Sequence, residues 1–319
     1  MNSSQASDQN LLETDARFLS DPALDGRSPG SEGHQAAAAY LDRRLQDLGI
    51  APGFAGSFFQ EVAPDGTRIG QNICGILPGL ESRTILVGAH YDHFMGIPGA
   101  DDNAAALAIT LETARQLLPW RGRSNLAVCF FDLEEPPNFL QASMGSVYFV
   151  QHCPLDVSTL ICAIIMDLCG HDVPLPGAEN SLFVLGAEYR QYLVEAVRTV
   201  DSPGLPLLMA RNERIGDMSD HHAFRVRGLP FLFLSCGWWE HYHAATDTFE
   251  RLNLKKMQAT ADSLARLVRQ LDDVAPSPAP AKAFSGIEAE TFRRLTGLNV
   301  PANEADLNVA ASRIIRKMI

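Results

Sequence analysis

Short, nearly unbroken apolar runs alternate along this chain with longer segments whose apolar residues recur at helical spacing. The runs have the length and composition of buried strands and span residues 71–77, 84–89, 126–131, 160–166, 181–185 and 231–235. Segments of helical pattern precede, separate and follow them, at residues 33–49, 103–118, 144–151, 188–200, 219–226 and 254–271. Strands that are apolar on both faces need covering on both faces. The alternation therefore predicts an α/β fold, with a mostly parallel, doubly wound sheet and helices on both sides.

The chain divides into one large unit and a short tail. Residues 1–274 carry all of the predicted strands and are expected to form the main domain. Residues 275–283 (APSPAPAKA) are a Pro/Ala linker. Residues 284–319 predict a short helical C-terminal extension, with one helix ending at Gly297 and another starting near Ala302. This extension is too small to enclose a core, so we expect it to pack on the main domain; the alternative is an arm that joins copies of the chain into a homo-oligomer.

Composition and charge narrow the class of protein. Of the 319 residues, 46% are hydrophobic and 20% are charged, which excludes a disordered chain. The net charge of −12 argues against nucleic acid or an anionic membrane as the main partner. The longest apolar run, residues 160–166, is too short to cross a bilayer. The first ten residues are polar, are expected to fray and show no secretory signal, so we expect a cytoplasmic protein.

Histidines and carboxylates follow the predicted strands at the points where the strands end. His90 and Asp92 come directly after residues 84–89, and Asp167 follows residues 160–166. Because the carboxyl ends of parallel strands meet at one edge of a sheet, where ligands bind, such side chains are expected to converge. Each of these residues taken alone has an ordinary structural explanation; Asp102, for instance, could cap a helix. Together they predict one site, whose candidate residues are His90, Asp92, Asp102, Glu134, Glu135, Asp167 and His243.

The candidate residues suit a pair of zinc ions. Imidazole nitrogen and carboxylate oxygen are the usual ligands of catalytic zinc, and the sequence offers no CxxC pair of thiolates instead. Two ions about 3.5–4 Å apart that share a carboxylate need two histidines, one bridging acid and one terminal acid for each ion. The chain supplies that set in His90, Asp102, Glu135, Asp167 and His243. Glu134, next to the candidate ligand Glu135, is not needed as a ligand and is a candidate general base.

Several motifs, taken in their order and spacing, resemble the M28 family of zinc peptidases. They are GAHYDH (88–93), PGADDN (98–103), LEEPP (133–137), MDLCG (166–170), SDHHAF (219–224) and YHAATDT (242–248). The resemblance covers residues 16–271. It implies an aminopeptidase with two zinc ions, which hydrolyses the N-terminal residue from peptides with a free N-terminus through a water that bridges the metals.

The resemblance also implies how the metals are held. Asp102 is the implied bridge between the two zinc ions. Glu135 and His243 complete one metal site, and His90 and Asp167 complete the other.

The remaining site residues receive implied roles in the chemistry. Glu134 is the general base, which takes a proton from the attacking water and returns it to the leaving amine. Tyr242 stabilises the oxyanion, and Asp92 supports the metal site. The peptide bond between Asp102 and Asn103 is implied to be cis.

Two other functions stay open on the same scaffold. A glutaminyl cyclase, which works with one zinc ion, shares most of these motifs, but the acid pair of PGADDN favours the peptidase. A non-enzymatic, metal-binding relative is disfavoured because all five ligands and Glu134 are present. Trp238 and Trp239 either line a specificity pocket or pack at the domain edge, and Asp220 either caps a helix or supports the site.

Overall fold

The computed structural model describes residues 4–153 and 156–318. Its helices in chain order are α1 (Ser4–Leu19), α2 (Glu32–Asp47), α3 (Ala105–Gln116), α4 (Gly145–His152), α5 (Gln191–Val200), α6 (His221–Arg225), α7 (Leu254–Asp273), α8 (Phe284–Thr296) and α9 (Glu304–Met318). Its strands are β1 (Ala51–Pro52), β2 (Phe59–Val62), β3 (Gly70–Leu77), β4 (Thr84–His90), β5 (Asn125–Phe131), β6 (Leu160–Met166), β7 (Leu182–Leu185), β8 (Leu207–Ala210) and β9 (Phe231–Ser235).

One mixed sheet contains all of these strands, in the order β1-β3-β5-β4-β6-β9-β7-β8, with β2 paired to β3. The central strands β5, β4, β6 and β9 run parallel to one another. The flanks differ, because β3 pairs antiparallel with β5, and β7 pairs antiparallel with β9. The connection between β3 and β4, residues 78–83, is too short for the crossover that two parallel strands of one sheet need, so β3 runs opposite to β4 on the far side of β5. The α/β fold is thus confirmed, with its parallel pairs concentrated at the centre of the sheet.

Helices cover both faces of the sheet, as predicted, because the central strands are apolar on both faces. In β5 the alternate residues Leu126, Val128 and Phe130 belong to the larger core cluster, which includes α1, α2, α3, α5 and α7. Their neighbours Ala127, Cys129 and Phe131 belong to the smaller cluster under α4 and α6. This two-sided burial fixes the register of β5 and leaves the carboxyl ends of the central strands as the open edge.

The N-terminal segment differs from the sequence-based expectation. We predicted that the first residues fray, but α1 begins at Ser4. Leu12, Ala16 and Leu19 are buried at helical spacing against the larger core. Asp15 accepts a hydrogen bond from the Tyr40 hydroxyl at 2.6 Å, which fastens α1 to α2. The polar composition of the segment concealed a narrow apolar stripe.

The strands missed by the sequence analysis are all short. They are β1, β2 and β8, of two, four and four residues. Periodicity cannot separate so short a run from a loop or a helix fragment. The longer predicted strands agree with the structure to within one residue at each end.

The C-terminal extension packs on the main domain beside β8. The Thr291 hydroxyl donates a hydrogen bond of 2.7 Å to the Met209 carbonyl. Glu288 is fully buried and accepts hydrogen bonds from both Arg211 and Arg214, with contacts of 2.5 and 2.6 Å to their terminal nitrogens. As predicted, the first helix of the extension stops at Gly297, which adopts a left-handed conformation.

The linker is irregular but attached. Gln191, at the start of α5, donates its N–H to the Ala279 carbonyl at 2.9 Å, and Ala281 donates to the Glu188 carbonyl at 3.0 Å. No helix within the described residues has the length and apolar character needed to span a membrane.

The Glu288 cluster makes the attachment of the extension testable. Glu288→Gln keeps the side-chain shape but removes the charge that Arg211 and Arg214 share. We expect the free energy of unfolding to fall by about 2 kcal/mol, since a hydrogen bond to a charged group contributes about 1.5–3 kcal/mol and a buried partner is left behind. Urea unfolding followed by circular dichroism measures the change.

Glu290→Gln is the matched control on the same helix. Glu290 pairs with Arg293 on the surface, where both side chains are about half exposed. Such a pair contributes about 0–1 kcal/mol. An equal loss in the two variants would contradict the role assigned to Glu288.

Candidate metal centre

The predicted site residues converge at the carboxyl edge of the central parallel strands. His90 is the last residue of β4, and Asp167 directly follows β6. Glu134 and Glu135 lie shortly after β5, and His243 lies in the loop that follows β9. Asp102 joins them from the irregular turn that leads into α3. Adjacent parallel strands therefore deliver these side chains to one place, because the strands end at the same edge.

Three of these residues form a first ligand group around His90. Its Nε2 lies 3.3 Å from Asp102 Oδ1 and 3.5 Å from Asp167 Oδ2. All three side chains are buried, and their ligand atoms lie within 4.8 Å of one another. The spacing leaves room for one small cation among them.

A second group forms on the other side of the same Asp102 carboxylate. His243 Nε2 lies 3.2 Å from Asp102 Oδ2 and 3.5 Å from Glu135 Oε1. His93 also reaches this group, with its Nδ1 2.7 Å from Glu135 Oε1 and 3.9 Å from Asp102 Oδ2. Asp102 is thus shared between the two groups.

The donor set fits a metal ion by its own chemistry. Within the described residues, His90 Nε2 and Asp167 Oδ1 are buried without a hydrogen-bond partner, although charged groups surround them. Buried polar atoms rarely stay unpaired, and buried carboxylates repel one another unless a cation lies between them. Nitrogen and oxygen ligands of this kind suit zinc. The residues present therefore fit the metal that the sequence predicted.

Glu134 lies at the edge of the first group and is not among the three residues that form it. Its Oε2 is 3.9 Å from His90 Nε2. Burial raises the pKa of Glu134 well above its usual value, and the neighbouring carboxylates Asp167 and Glu135 raise it further. A carboxyl group with a raised pKa can both accept and return a proton near neutral pH.

Asp92 faces the backbone of the Glu134–Glu135 segment. Its Oδ1 accepts the Glu134 N–H and its Oδ2 accepts the Glu135 N–H, both at 3.1 Å. Its carbonyl oxygen lies 3.1 Å from His90 Nδ1. Asp92 therefore orients His90, Glu134 and Glu135, although it belongs to neither ligand group.

Tyr242 and the two tryptophans occupy distinct positions. The Tyr242 ring stacks on His243 with a centroid distance of 3.7 Å, and burial raises the pKa of its phenol. Trp238 and Tyr242 both line an apolar cavity that reaches Asp167. Trp239 instead stacks on His171 at 4.5 Å. Trp238 thus lines the cavity next to the centre, whereas Trp239 packs on a histidine ring.

Asp220 stands at the start of α6 but makes no side-chain capping hydrogen bond. It is fully buried, both of its carboxylate oxygens lack a hydrogen-bond partner within the described residues, and its charge acts on Glu134. The helix-cap interpretation of Asp220 is therefore wrong, and its carboxylate belongs to the electrostatic surroundings of the centre.

Several residues that position the centre were not predicted from the sequence. Asp247 accepts the N–H groups of Asp101 and Asp102 at 2.9 and 3.1 Å. Arg27, fully buried, donates to the carbonyl of Asp102 at 3.1 Å and to that of Gly99 at 3.0 Å. These contacts hold the turn whose Asp102–Asn103 peptide bond is cis, as the resemblance implied.

His93 and Asp247 both lie inside motifs that the sequence analysis quoted. His93 is the second histidine of GAHYDH, and Asp247 is the acid of YHAATDT. The signal that could have found them is their residue type within these motifs. Arg27 lies in DGRSPGSEG (25–33), which also resembles the family, but its role was missed because a buried arginine that binds only backbone carbonyls leaves no pattern of residue types.

Comparisons with known proteins agree on the family. The model of peptidase family M28 matches residues 72–268. The chain is 26% identical to the uncharacterized protein YfbL of Escherichia coli (strain K12) over 218 residues, which are 58% of this chain and 66% of YfbL. It is also 26% identical over 230 residues to endoplasmic reticulum metallopeptidase 1 of Mus musculus, covering 68% of this chain and 24% of that protein. The match thus spans about two thirds of one relative and a quarter of the other.

Solved structures share the fold. A Zn-dependent exopeptidase from Parabacteroides distasonis superimposes with a TM-score of 0.63 and 19% identity, over 82% of this chain and 97% of that one. A glutaminyl cyclase from Tannerella forsythia gives a TM-score of 0.62 and 20% identity, over 84% and 99% of the two chains. Proteins of two different activities therefore have this architecture.

Asp220 gives the metal-free protein a testable pH dependence. Burial raises the pKa of Asp220 to about 7, from a usual value of 3.8. The folded state therefore binds this proton more tightly than the unfolded state, and the resulting stability is complete below about pH 4 and is lost as the pH rises to about 7. We expect the melting temperature of EDTA-treated wild type, relative to Asp220→Asn, to fall across this window and to level off above it.

The control for this measurement is Asp65→Asn, at an exposed turn. It makes the same Asp-to-Asn replacement at the surface, and so shows what that replacement does to the melting temperature where no carboxylate is buried. Parallel curves for wild type and Asp220→Asn would refute the assignment.

Proposed function

This chain belongs to peptidase family M28, and we propose that it is an aminopeptidase that holds two zinc ions and releases the N-terminal residue of peptides. Its substrate is then a peptide with a free N-terminus. The proposal is drawn from the metal centre, because the fold alone is shared by exopeptidases and glutaminyl cyclases.

The observation that carries the proposal is the position of the Asp102 carboxylate. Its Oδ1 faces His90 at 3.3 Å, and its Oδ2 faces His243 at 3.2 Å. A carboxylate with a separate ligand group on each oxygen suits a pair of ions that share it. A single-zinc cyclase needs no such shared acid, so this arrangement favours the peptidase.

The chemistry divides between the metals and the protein. When bound, zinc at such a centre polarises the scissile carbonyl and makes water more acidic. Glu134, buried beside His90, takes the proton of the attacking water and returns it to the leaving amine. His93 and Asp92 keep the Glu134–Glu135 segment in place through their contacts with Glu135 and with the backbone.

We infer that Tyr242 stabilises charge that develops on the substrate. Its phenol is protonated at neutral pH, since a tyrosine ordinarily titrates at about pH 10 and burial raises the pKa of Tyr242 further. A neutral hydroxyl can donate a hydrogen bond to the oxygen that becomes negative when the carbonyl is attacked. The surrounding carboxylates attract the ammonium group of a free N-terminus, which favours cleavage at the first residue.

Peptide products distinguish the candidate functions. We expect zinc-loaded protein to remove the first residue from peptides that begin with Leu or Ala and to leave acetylated peptides intact, as followed by mass spectrometry. Glu134→Gln is expected to retain its metal but to lower kcat by about 10²–10⁴-fold, the usual contribution of a positioned general base. Glu112→Gln, a buried glutamate on α3 away from the centre, is the matched control.

The outcomes separate the peptidase from the cyclase. Loss of ammonia from a peptide that begins with Gln, without cleavage of the others, would identify a cyclase. Unchanged turnover by metal-loaded Glu134→Gln would refute the proposed role of Glu134 as the general base.

Counting metal in two variants tests the sharing of Asp102. Asp102 belongs to both ligand groups, whereas Asp167 contacts only the His90 group. We expect Asp167→Asn to retain about one zinc ion per chain and Asp102→Asn to lose both, because a ligand common to two ions supports each of them. Inductively coupled plasma mass spectrometry after dialysis in a zinc buffer gives the ratio.

The exposed Asp172, replaced by Asn, serves as the control for surface acids. It is expected to bind as much zinc as the wild type. Equal zinc contents in Asp102→Asn and Asp167→Asn would contradict the division into two sites.

A further inference from the structure

A cavity of about 100 Å³ opens directly beside the metal centre. Asp167, a member of the first ligand group, and Tyr242, which stacks on His243, both belong to its lining. The cavity is therefore continuous with the place where the proposed reaction occurs. A side chain of a substrate bound at the metal centre could therefore enter this cavity.

The wall that the main domain contributes is apolar. It includes Leu185 from β7, Phe233 from β9, and Met218 and Trp238 from the loops. The charge of Arg214, which also lies in the lining, is taken up by Glu288 through contacts of 2.8 and 2.6 Å. Among the described residues that line the cavity, only Asp167, at the end near the metal centre, therefore has a charge that is free to interact with a polar ligand.

The opposite wall comes from the C-terminal extension. Phe292 of α8 and Ala311 and Ile314 of α9 line the cavity. Each is at most 6% exposed. These residues lie beyond residue 268, where the match to the family model ends.

We propose that α8 and α9 complete the pocket for the first side chain of the substrate, and that this pocket selects an aliphatic side chain such as leucine or methionine. The inference rests on the proposed aminopeptidase function, whose reaction would place that side chain next to the metals. An apolar cavity of about 150 Å³ holds a benzene ring. The smaller volume here therefore suits an unbranched or γ-branched aliphatic chain better than an aromatic ring.

The extension is fixed firmly enough to act as a wall. The buried Glu288 holds α8 to Arg211 and Arg214, and Thr291 holds it to β8. Leu307, Ala310 and Ile314 place one face of α9 in the same core cluster as the sheet. A packed wall discriminates by size, because enlarging it would displace other core residues.

Filling the cavity tests the inference. Ala311→Leu adds a larger side chain at the wall and replaces none of the metal ligands. We expect kcat/KM for a peptide that begins with Leu to fall about 10–100-fold, and that for a peptide that begins with Ala to change less than about 3-fold, since one methylene in a pocket changes discrimination about 10–200-fold. Ser312→Leu, at an exposed position of the same helix, is the matched control and should leave both values unchanged.

Enlarging the cavity provides the reverse test. Ile314→Ala removes part of the same wall and is expected to raise the ratio of kcat/KM for Phe over Leu peptides by about 10-fold. Leu/Ala and Phe/Leu ratios that stay at their wild-type values in both folded variants would overturn the inference.

A binding measurement separates failure of the pocket from failure of the function. Trp238 lines the cavity, so its fluorescence should respond to leucinamide, a minimal ligand with a free amine and the side chain in question. We expect saturable binding in the wild type and in Ser312→Leu, and binding at least about 10-fold weaker in Ala311→Leu. This result without turnover of any peptide would refute the aminopeptidase but support the pocket, whereas equal binding to Ala311→Leu and wild type would refute the pocket.

Discussion

Asp102 is an almost completely buried carboxylate with a histidine beside each of its oxygens, and much of the surrounding structure serves to keep it there. Although burial opposes it, the three nearby histidines His93, His243 and His90 hold the pKa of Asp102 well below its usual value. The backbone around it is held by Asp247 from one side and by Arg27 from the other. Such a cluster of buried charges is favourable only as a complete set, since removing one member leaves the others uncompensated.

The central part of the fold could be predicted from the sequence because two independent signals coincide there. The strands from β4 to β6 are apolar on both faces, and each either ends in a histidine or is followed directly by an acidic residue. The first signal gives the layers and the second gives the edge at which the site forms. At the flanks of the sheet, only the length of each connecting segment indicates whether a strand runs parallel or antiparallel to its neighbour. The antiparallel direction of β3 was missed because its only signal is the short connection to β4.

The site residues divide in the same way. The predicted ligands His90 and Asp167 are polar residues directly after apolar runs, and this change from apolar to polar can be read from the sequence alone. His93 stands beside Glu135 only because two strands, β4 and β5, are neighbours in the sheet. Arg27 binds backbone carbonyls that are far from it in sequence. Contacts of this type depend on the folded path of the chain and leave no local pattern.

The position of the C-terminal extension has a consequence for how such a protein can evolve. The residues proposed to carry out the reaction lie in the sheet and its loops, whereas one wall of the neighbouring cavity is encoded by a separate, later stretch of the gene. Mutations in that stretch of coding sequence can change the shape of the cavity while every residue of the metal centre stays as it is. Selectivity and chemistry are then inherited as separable traits, and a lineage can explore new substrates without passing through an inactive intermediate.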